Sequence, residues 1–204
     1  MPELALYLWG AYYLLTLGIR LVLHRRRTGS SGLVGFRGRP GSTEWLGEAA
    51  EVVALALGFA APVLALGGTV PLIPALDLPG VHVAGVALFA LGVAGIVGSQ
   101  QAMGASWRIG VDHGHRTTLV TRGPFAIVRN PIFTSLVAVQ AGIALLAPSW
   151  VAMLALALLV LSVEVQVRGV EEPHLLQLHG GSYAAYAGRV GRFLPRVGRA
   201  SHLR

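Results

Sequence analysis

Five apolar stretches dominate the chain, and their length fixes what it can fold into. A helix rises about 1.5 Å per residue, so about 20 apolar residues match the ~30 Å hydrocarbon core of a bilayer. Spans are expected over 4–23, 45–66, 81–99, 125–147 and 150–167. Only Pro148 and Ser149 part the last two, so these should form a tight antiparallel hairpin. On the third span Gly85, Gly92 and Ser99 recur every seven residues, and small side chains in that register let helices approach closely. No basic segment precedes the first stretch and no small-residue cleavage site follows it, so it reads as a span and not a signal peptide. Backbone polar groups in lipid must be satisfied within the segment, which makes the expected fold all-α: a polytopic membrane helical bundle.

Composition agrees. Of 204 residues, 54% are hydrophobic and 12% charged, where soluble domains carry about 25% charged residues. That excludes a soluble enzyme, a disordered chain and a nucleic-acid module. All 16 cations are arginines and the net charge is +7. The connection after the first span carries Arg25, Arg26, Arg27, Arg37 and Arg39, and the one after the third carries Arg108, Arg116 and Arg122. The tail carries Arg189, Arg192, Arg196, Arg199 and Arg204, while the second and fourth connections have none. By the positive-inside rule the N-terminus is expected outside and the C-terminus in the cytosol. Without cysteine there is no disulfide, thiolate ligand or thiol nucleophile.

The polar material that could host chemistry lies on the basic side. Residues 1–99 form three spans and a Gly/Ser/Arg-rich loop over anionic headgroups; residues 100–204 hold a loop, two spans and a tail. At the end of the fifth span Glu164, Arg168, Glu171 and Glu172 follow i, i+4, i+7 and i+8, which places them on one helical face. Ionisable residues at membrane depth are costly and tend to be functional. Arg129-Asn130-Pro131 opens the fourth span, where proline frees backbone carbonyls and Asn130 adds an amide. The Asp112–His115 segment (DHGH) has an HxH pair but no third ligand, so no metal site is expected. Dinucleotide, P-loop and hydrolase motifs are absent.

Together these segments resemble the isoprenylcysteine carboxyl methyltransferase family, the membrane-embedded group that also takes in phospholipid methyltransferases. The likeness rests on Leu119, Val120, Gly123, Phe125, Arg129, Asn130, Pro131 and Phe133. After a helical hairpin it continues through Arg168, Glu171, Glu172, Leu175, Gly180, Tyr183, Tyr186, Val190, Arg192, Phe193 and Pro195. It covers about residues 100–196. Thr117 stands where many members have histidine, Phe125 and Phe133 replace tyrosine, and Asn130 replaces histidine. The resemblance implies S-adenosylmethionine as cofactor, bound from the cytosolic side by His115, Thr117, Thr118, Leu119, Val120, Gly123, Phe125, Arg129, Asn130, Pro131, Phe133, Glu171 and Tyr183. It implies a lipophilic or prenylated acceptor entering from the bilayer, with membrane lipids as further partners. Arg168 and Glu172 are the expected catalytic residues: Arg168 would orient a carboxylate acceptor, and Glu172 with Glu171 would hold the cofactor's cationic amino-acid end.

Two other functions fit the sequence less well. An NADPH-dependent sterol-type reductase shares a similar tail, and Arg116, Arg122 and Arg129 would then meet the extra phosphate. A small transporter or scaffold would show paired inverted halves and mid-span ionisable residues, neither of which is evident.

Overall fold

A computed structural model describes residues 1–29, 38–104 and 118–200. The chain is helical throughout, and among the described residues no strand forms. Helix α1 (Pro2–Tyr13) passes through a π turn at Leu14–Gly18 into α2 (Ile19–Thr28), and Gly29 ends it in a left-handed conformation (φ 76°). Helix α3 (Thr43–Leu66) starts where Ser42 accepts a hydrogen bond from the Trp45 amide (3.3 Å). Helices α4 (Pro79–Met103) and α5 (Pro131–Leu146) each begin at a proline, whose missing N–H is no loss in a first turn. Ser149 caps α6 (Trp150–Gln166), which runs through a π turn at Val167–Glu171 into α7 (Glu172–His179); α8 (Gly181–Arg189) follows.

Four helical stretches are long and apolar enough to cross a membrane: Pro2–Arg26, Thr43–Leu66, Pro79–Met103 and Trp150–His179. The fourth expected span departs from its predicted 125–147 range. Gly123–Ala126 forms a 3-10 turn, and Asn130, held out of the helical conformation (φ −122°, ψ 59°) ahead of Pro131, delays the α-helix. Helix α5 therefore has 16 residues, about 24 Å of rise, and is shorter than the hydrocarbon core. It still forms the expected hairpin with α6 across Pro148 and Ser149.

Small residues decide which helices pair. A Cβ at Gly92 would stand 2.7 Å from the Ser135 carbonyl, and one at Gly142 would stand 2.6 Å from the Gly85 carbonyl. The stripe Gly85, Gly92 and Ser99 is buried, as its spacing predicts, and α4 lies backbone to backbone on α5. Helix α3 faces α6 across Gly47, which lies against Gln166. Trp9, Phe89, Ile96, Leu136, Val139, Ile143, Leu159 and Val163 fill the centre.

Contacts sort the connections to two ends. At one, the Ile73 amide donates to the Pro148 carbonyl (2.7 Å), joining the connection after α3 to the α5–α6 turn. At the other, Arg20 Nη2 donates to the Gln100 (3.1 Å) and Gly104 (2.9 Å) carbonyls, and Gln100 Nε2 donates to the Thr16 carbonyl (2.9 Å). The second end also carries the start of α5 and the tail.

Candidate active site

Arg129, just ahead of α5, is densely connected. Its side chain is 1% exposed. Nε and Nη2 both donate to Glu172 Oε1 (3.1 and 2.7 Å), Nη1 donates to the Ala187 (3.0 Å) and Val190 carbonyls, and Nη2 also reaches the Gly198 carbonyl (3.1 Å). Arg192 grips the same carboxylate from the far side, Nε to Oε1 at 2.9 Å and Nη2 to Oε2 at 2.7 Å. One carboxylate thus joins two guanidiniums in charge-assisted bonds, the strongest class of protein hydrogen bond. Glu172's two bonds to Arg192 hold that guanidinium's pKa above its usual value.

The backbone continues this clasp. Val128 and Gly191 pair as an isolated parallel bridge; the Arg129 amide donates to the Gly191 carbonyl (2.8 Å) and the Asn130 amide to the Arg192 carbonyl (3.1 Å). Asn130 Nδ2 adds a second bond to that carbonyl (3.2 Å), and Thr134 Oγ1 donates to the Phe193 carbonyl (3.0 Å). Gly191 is required here, because a Cβ would stand 2.0 Å from the Leu194 carbonyl. The backbone amides of Arg129 and Asn130, the Asn130 Nδ2 and both Arg129 Nη atoms donate into residues 187–198, so the motif latches the tail.

Beside the clasp, Tyr183 and Tyr186 are buried and packed with Leu119, Leu175, Leu176 and Val190. Tyr186 donates to the Phe125 carbonyl (2.6 Å). Burial pushes the Tyr186 phenol up to about 12, and Tyr183 is raised by burial and by the Glu172 charge, so both remain neutral hydrogen-bonding groups at physiological pH.

The structure divides the expected site residues into three groups. Leu119, Phe125, Arg129, Asn130, Glu172 and Tyr183 meet around the clasp. Pro131 is buried and Phe133 packs onto the transmembrane core, while Val120 is half-buried and Thr118 and Gly123 are exposed at the edge. His115 and Thr117 lie outside the described residues, as does the HxH pair.

The four charges expected on one face at the end of α6 do not act as a unit. Arg168 is 60% exposed and pairs outward with Glu164. The i→i+5 turn at Val167–Glu171 inserts one residue into the helix, so side chains after it lag by about 100°. Glu172 then meets the two arginines, and Glu171 comes within Coulombic reach of Glu51 and Glu172. Among the described residues no cation pairs with Glu171. Arg168 lines a shallow groove of about 480 Å³ with Thr43, Glu164, Val165 and Gly169.

Sequence reasoning missed several polar partners. Arg192 had no assigned role, and nothing in a 20-residue separation from Glu172 signals a pair. Glu51 lies two turns inside α3 and accepts a bond from Gln166 Nε2 (2.6 Å), so one span does carry a deep ionisable residue. A glutamate eight residues into an apolar helix was itself the signal.

The helical bundle has a solved counterpart in fold. The eukaryotic intramembrane Ras methyltransferase ICMT (isoprenylcysteine carboxyl methyltransferase) superposes with a TM-score of 0.59 over 97% of this chain and 69% of its own, at 18% identity, which is a likeness of fold. Residues 81–182, half of the chain, match the phospholipid methyltransferase family, and the chain belongs to that family. No curated protein matches it. The chain is thus an integral membrane protein of a methyltransferase class.

Proposed function

We propose that the chain transfers a methyl group from S-adenosylmethionine to a lipophilic acceptor at the membrane interface. The observation that carries this reading is Glu171. It is a carboxylate beside two others, without a cationic partner among the described residues, at the end of an apolar helix. A cluster of that sign suits a cationic guest, and S-adenosylmethionine carries an ammonium and a sulfonium. Glu172 is occupied by Arg129 and Arg192, so the cofactor's amino-acid end falls to Glu171, and Glu172 acts through the clasp as a positioning residue. Leu119 and Phe125, half-buried and backed by the two buried tyrosines, supply apolar and aromatic surface for the adenosine.

The cofactor supplies an activated methyl group when bound. The chain's part is to orient the acceptor and exclude water from an in-line displacement. Arg168, exposed in its groove between the start of α3 and the π turn, meets an acceptor arriving sideways from the lipid. Its planar fork suits a carboxylate, which would take over from Glu164. An isoprenylcysteine-like carboxylate is therefore the favoured acceptor class. The arginine-rich connections support placing this end in the cytosol and the N-terminus outside.

Calorimetry of S-adenosylmethionine binding to detergent-purified protein tests the assignment. Glu171→Gln should weaken binding by about 1–3 kcal/mol, the loss of one buried polar contact. Wild-type affinity in Glu171→Gln removes Glu171 from the site.

A further inference from the structure

The segment after α8 does more than clasp Glu172. From Gly191 to Ala200 it forms a strap across the start of α5. Phe193 packs against the transmembrane core, and its carbonyl accepts from Thr134 in the first turn of α5. The strap therefore lies where the apolar helix α5 begins, at the arginine-rich end of the bundle.

Its outermost part is the turn Leu194-Pro195-Arg196-Val197, closed by the Val197 amide donating to the Leu194 carbonyl (3.1 Å). Proline in the second position and a positive φ in the third mark a type II turn, whose third position ordinarily takes glycine. Here it is arginine. Arg196 has φ 66°, and it is the one non-glycine with a positive φ among the described residues. A left-handed L-residue costs roughly 1–2 kcal/mol, and the Arg196 side chain is exposed, so packing does not repay it. Strain kept for an exposed charge points to a use for that charge.

The surroundings indicate what it meets. Leu194 is 58% exposed and Val197 59%. Arg189 and Arg199 are exposed nearby. Among the described residues none of these three arginines has an ion-pair partner, and no acid follows Glu172 in the sequence. Two exposed apolar side chains beside guanidiniums that have no ion-pair partner among the described residues complement an anionic lipid surface.

We infer that this turn is a docking site for anionic phospholipid headgroups: Leu194 and Val197 enter the acyl boundary, and Arg196, with Arg189 and Arg199, binds the phosphates and the excess negative charge. The same strap carries Arg192 and the Gly198 carbonyl, which grip Glu172 and Arg129, so headgroup binding also holds the clasp closed. That link to the clasp rests on the methyltransferase reading; headgroup binding does not.

The test is phosphatidylglycerol against phosphatidylcholine, titrated into the full-length detergent-purified protein and read as retained lipid by native mass spectrometry. Wild type should prefer phosphatidylglycerol. Arg196→Gly should lower that preference about fivefold, the ratio given by ~1 kcal/mol for one arginine at an anionic surface. Its melting temperature should hold or rise, since glycine suits the turn. Arg196→Lys should keep the preference, and Arg39→Gln, an exposed charge on the connection after α2, should lower it clearly less than Arg196→Gly does. Wild-type preference in Arg196→Gly overturns the site, and an equal loss in Arg39→Gln replaces it with a diffuse field. Methyl transfer from S-adenosylmethionine to an added native membrane lipid fraction, in phosphatidylcholine and phosphatidylglycerol nanodiscs, is a separate arm. Protein that selects phosphatidylglycerol yet transfers no methyl group retains the docking site and loses the enzyme reading.

Discussion

Replacing Glu172 with glutamine removes the one negative charge shared by two guanidiniums while keeping the side chain's shape. Arg129 is 1% exposed at its side chain, Glu172 15% and Arg192 17%, so the pair to Arg129 is shielded from water. Leaving a buried charge without its partner costs about 3–5 kcal/mol. Two features soften this: Arg129 keeps its bonds to the Ala187, Val190 and Gly198 carbonyls, and Arg192 can turn towards solvent. The expected loss is about 2–4 kcal/mol, or about 4–16 °C in melting temperature for a chain of this size. The assay is thermal unfolding of detergent-purified protein, followed by trypsin cleavage after Arg189 and Arg192, which should become accessible first. Glu164→Gln is the matched control: its pair with Arg168 is exposed and should be worth less than about 1 kcal/mol. Equal melting temperatures for Glu172→Gln and Glu164→Gln would refute the view that the clasp holds the tail.

Other outcomes follow from single features of the bundle. Gln140 is fully buried against Gly58, with neither amide atom hydrogen-bonded, so Gln140→Met should raise stability by about 1–3 kcal/mol in denaturant or thermal unfolding. Arg168→Lys should bind S-adenosylmethionine nearly as wild type but lose most of its turnover, because lysine lacks the planar fork; equal losses in both would make Arg168 a partner of Glu164 alone. Topology reporters fused after Gly41 and after Arg204 should both read cytosol, and an external signal at either site would reverse the orientation.

The helices were legible in the sequence because lipid imposes a length and because proline and serine mark their starts. That α4 packs closely on a neighbour was legible too, in its seven-residue repeat of small residues, but that the neighbour is α5 was not. The end of α6 was not. Ideal periodicity puts Glu164, Arg168, Glu171 and Glu172 on one face, and a π turn, which leaves no pattern in a stretch reading VRGVE, separates the Glu164–Arg168 pair from Glu172 and leaves Glu171 without a cation among the described residues. Nor was the latch, for a different reason. Arg129 and Asn130 carry the right groups for a cofactor, and only the path of the tail reveals that carbonyls 60 residues away occupy them.

The most direct test of the central claim gives the purified protein S-adenosylmethionine labelled in its methyl group, together with the native membrane lipid fraction, and then inventories the labelled products. The account predicts label in a lipophilic fraction, released by mild base as a methyl ester would be, and absent with Glu171→Gln. Label on a base-stable amine would keep the methyltransferase but contradict the role given to Arg168. No labelled lipid from protein that binds S-adenosylmethionine would contradict the proposed function itself.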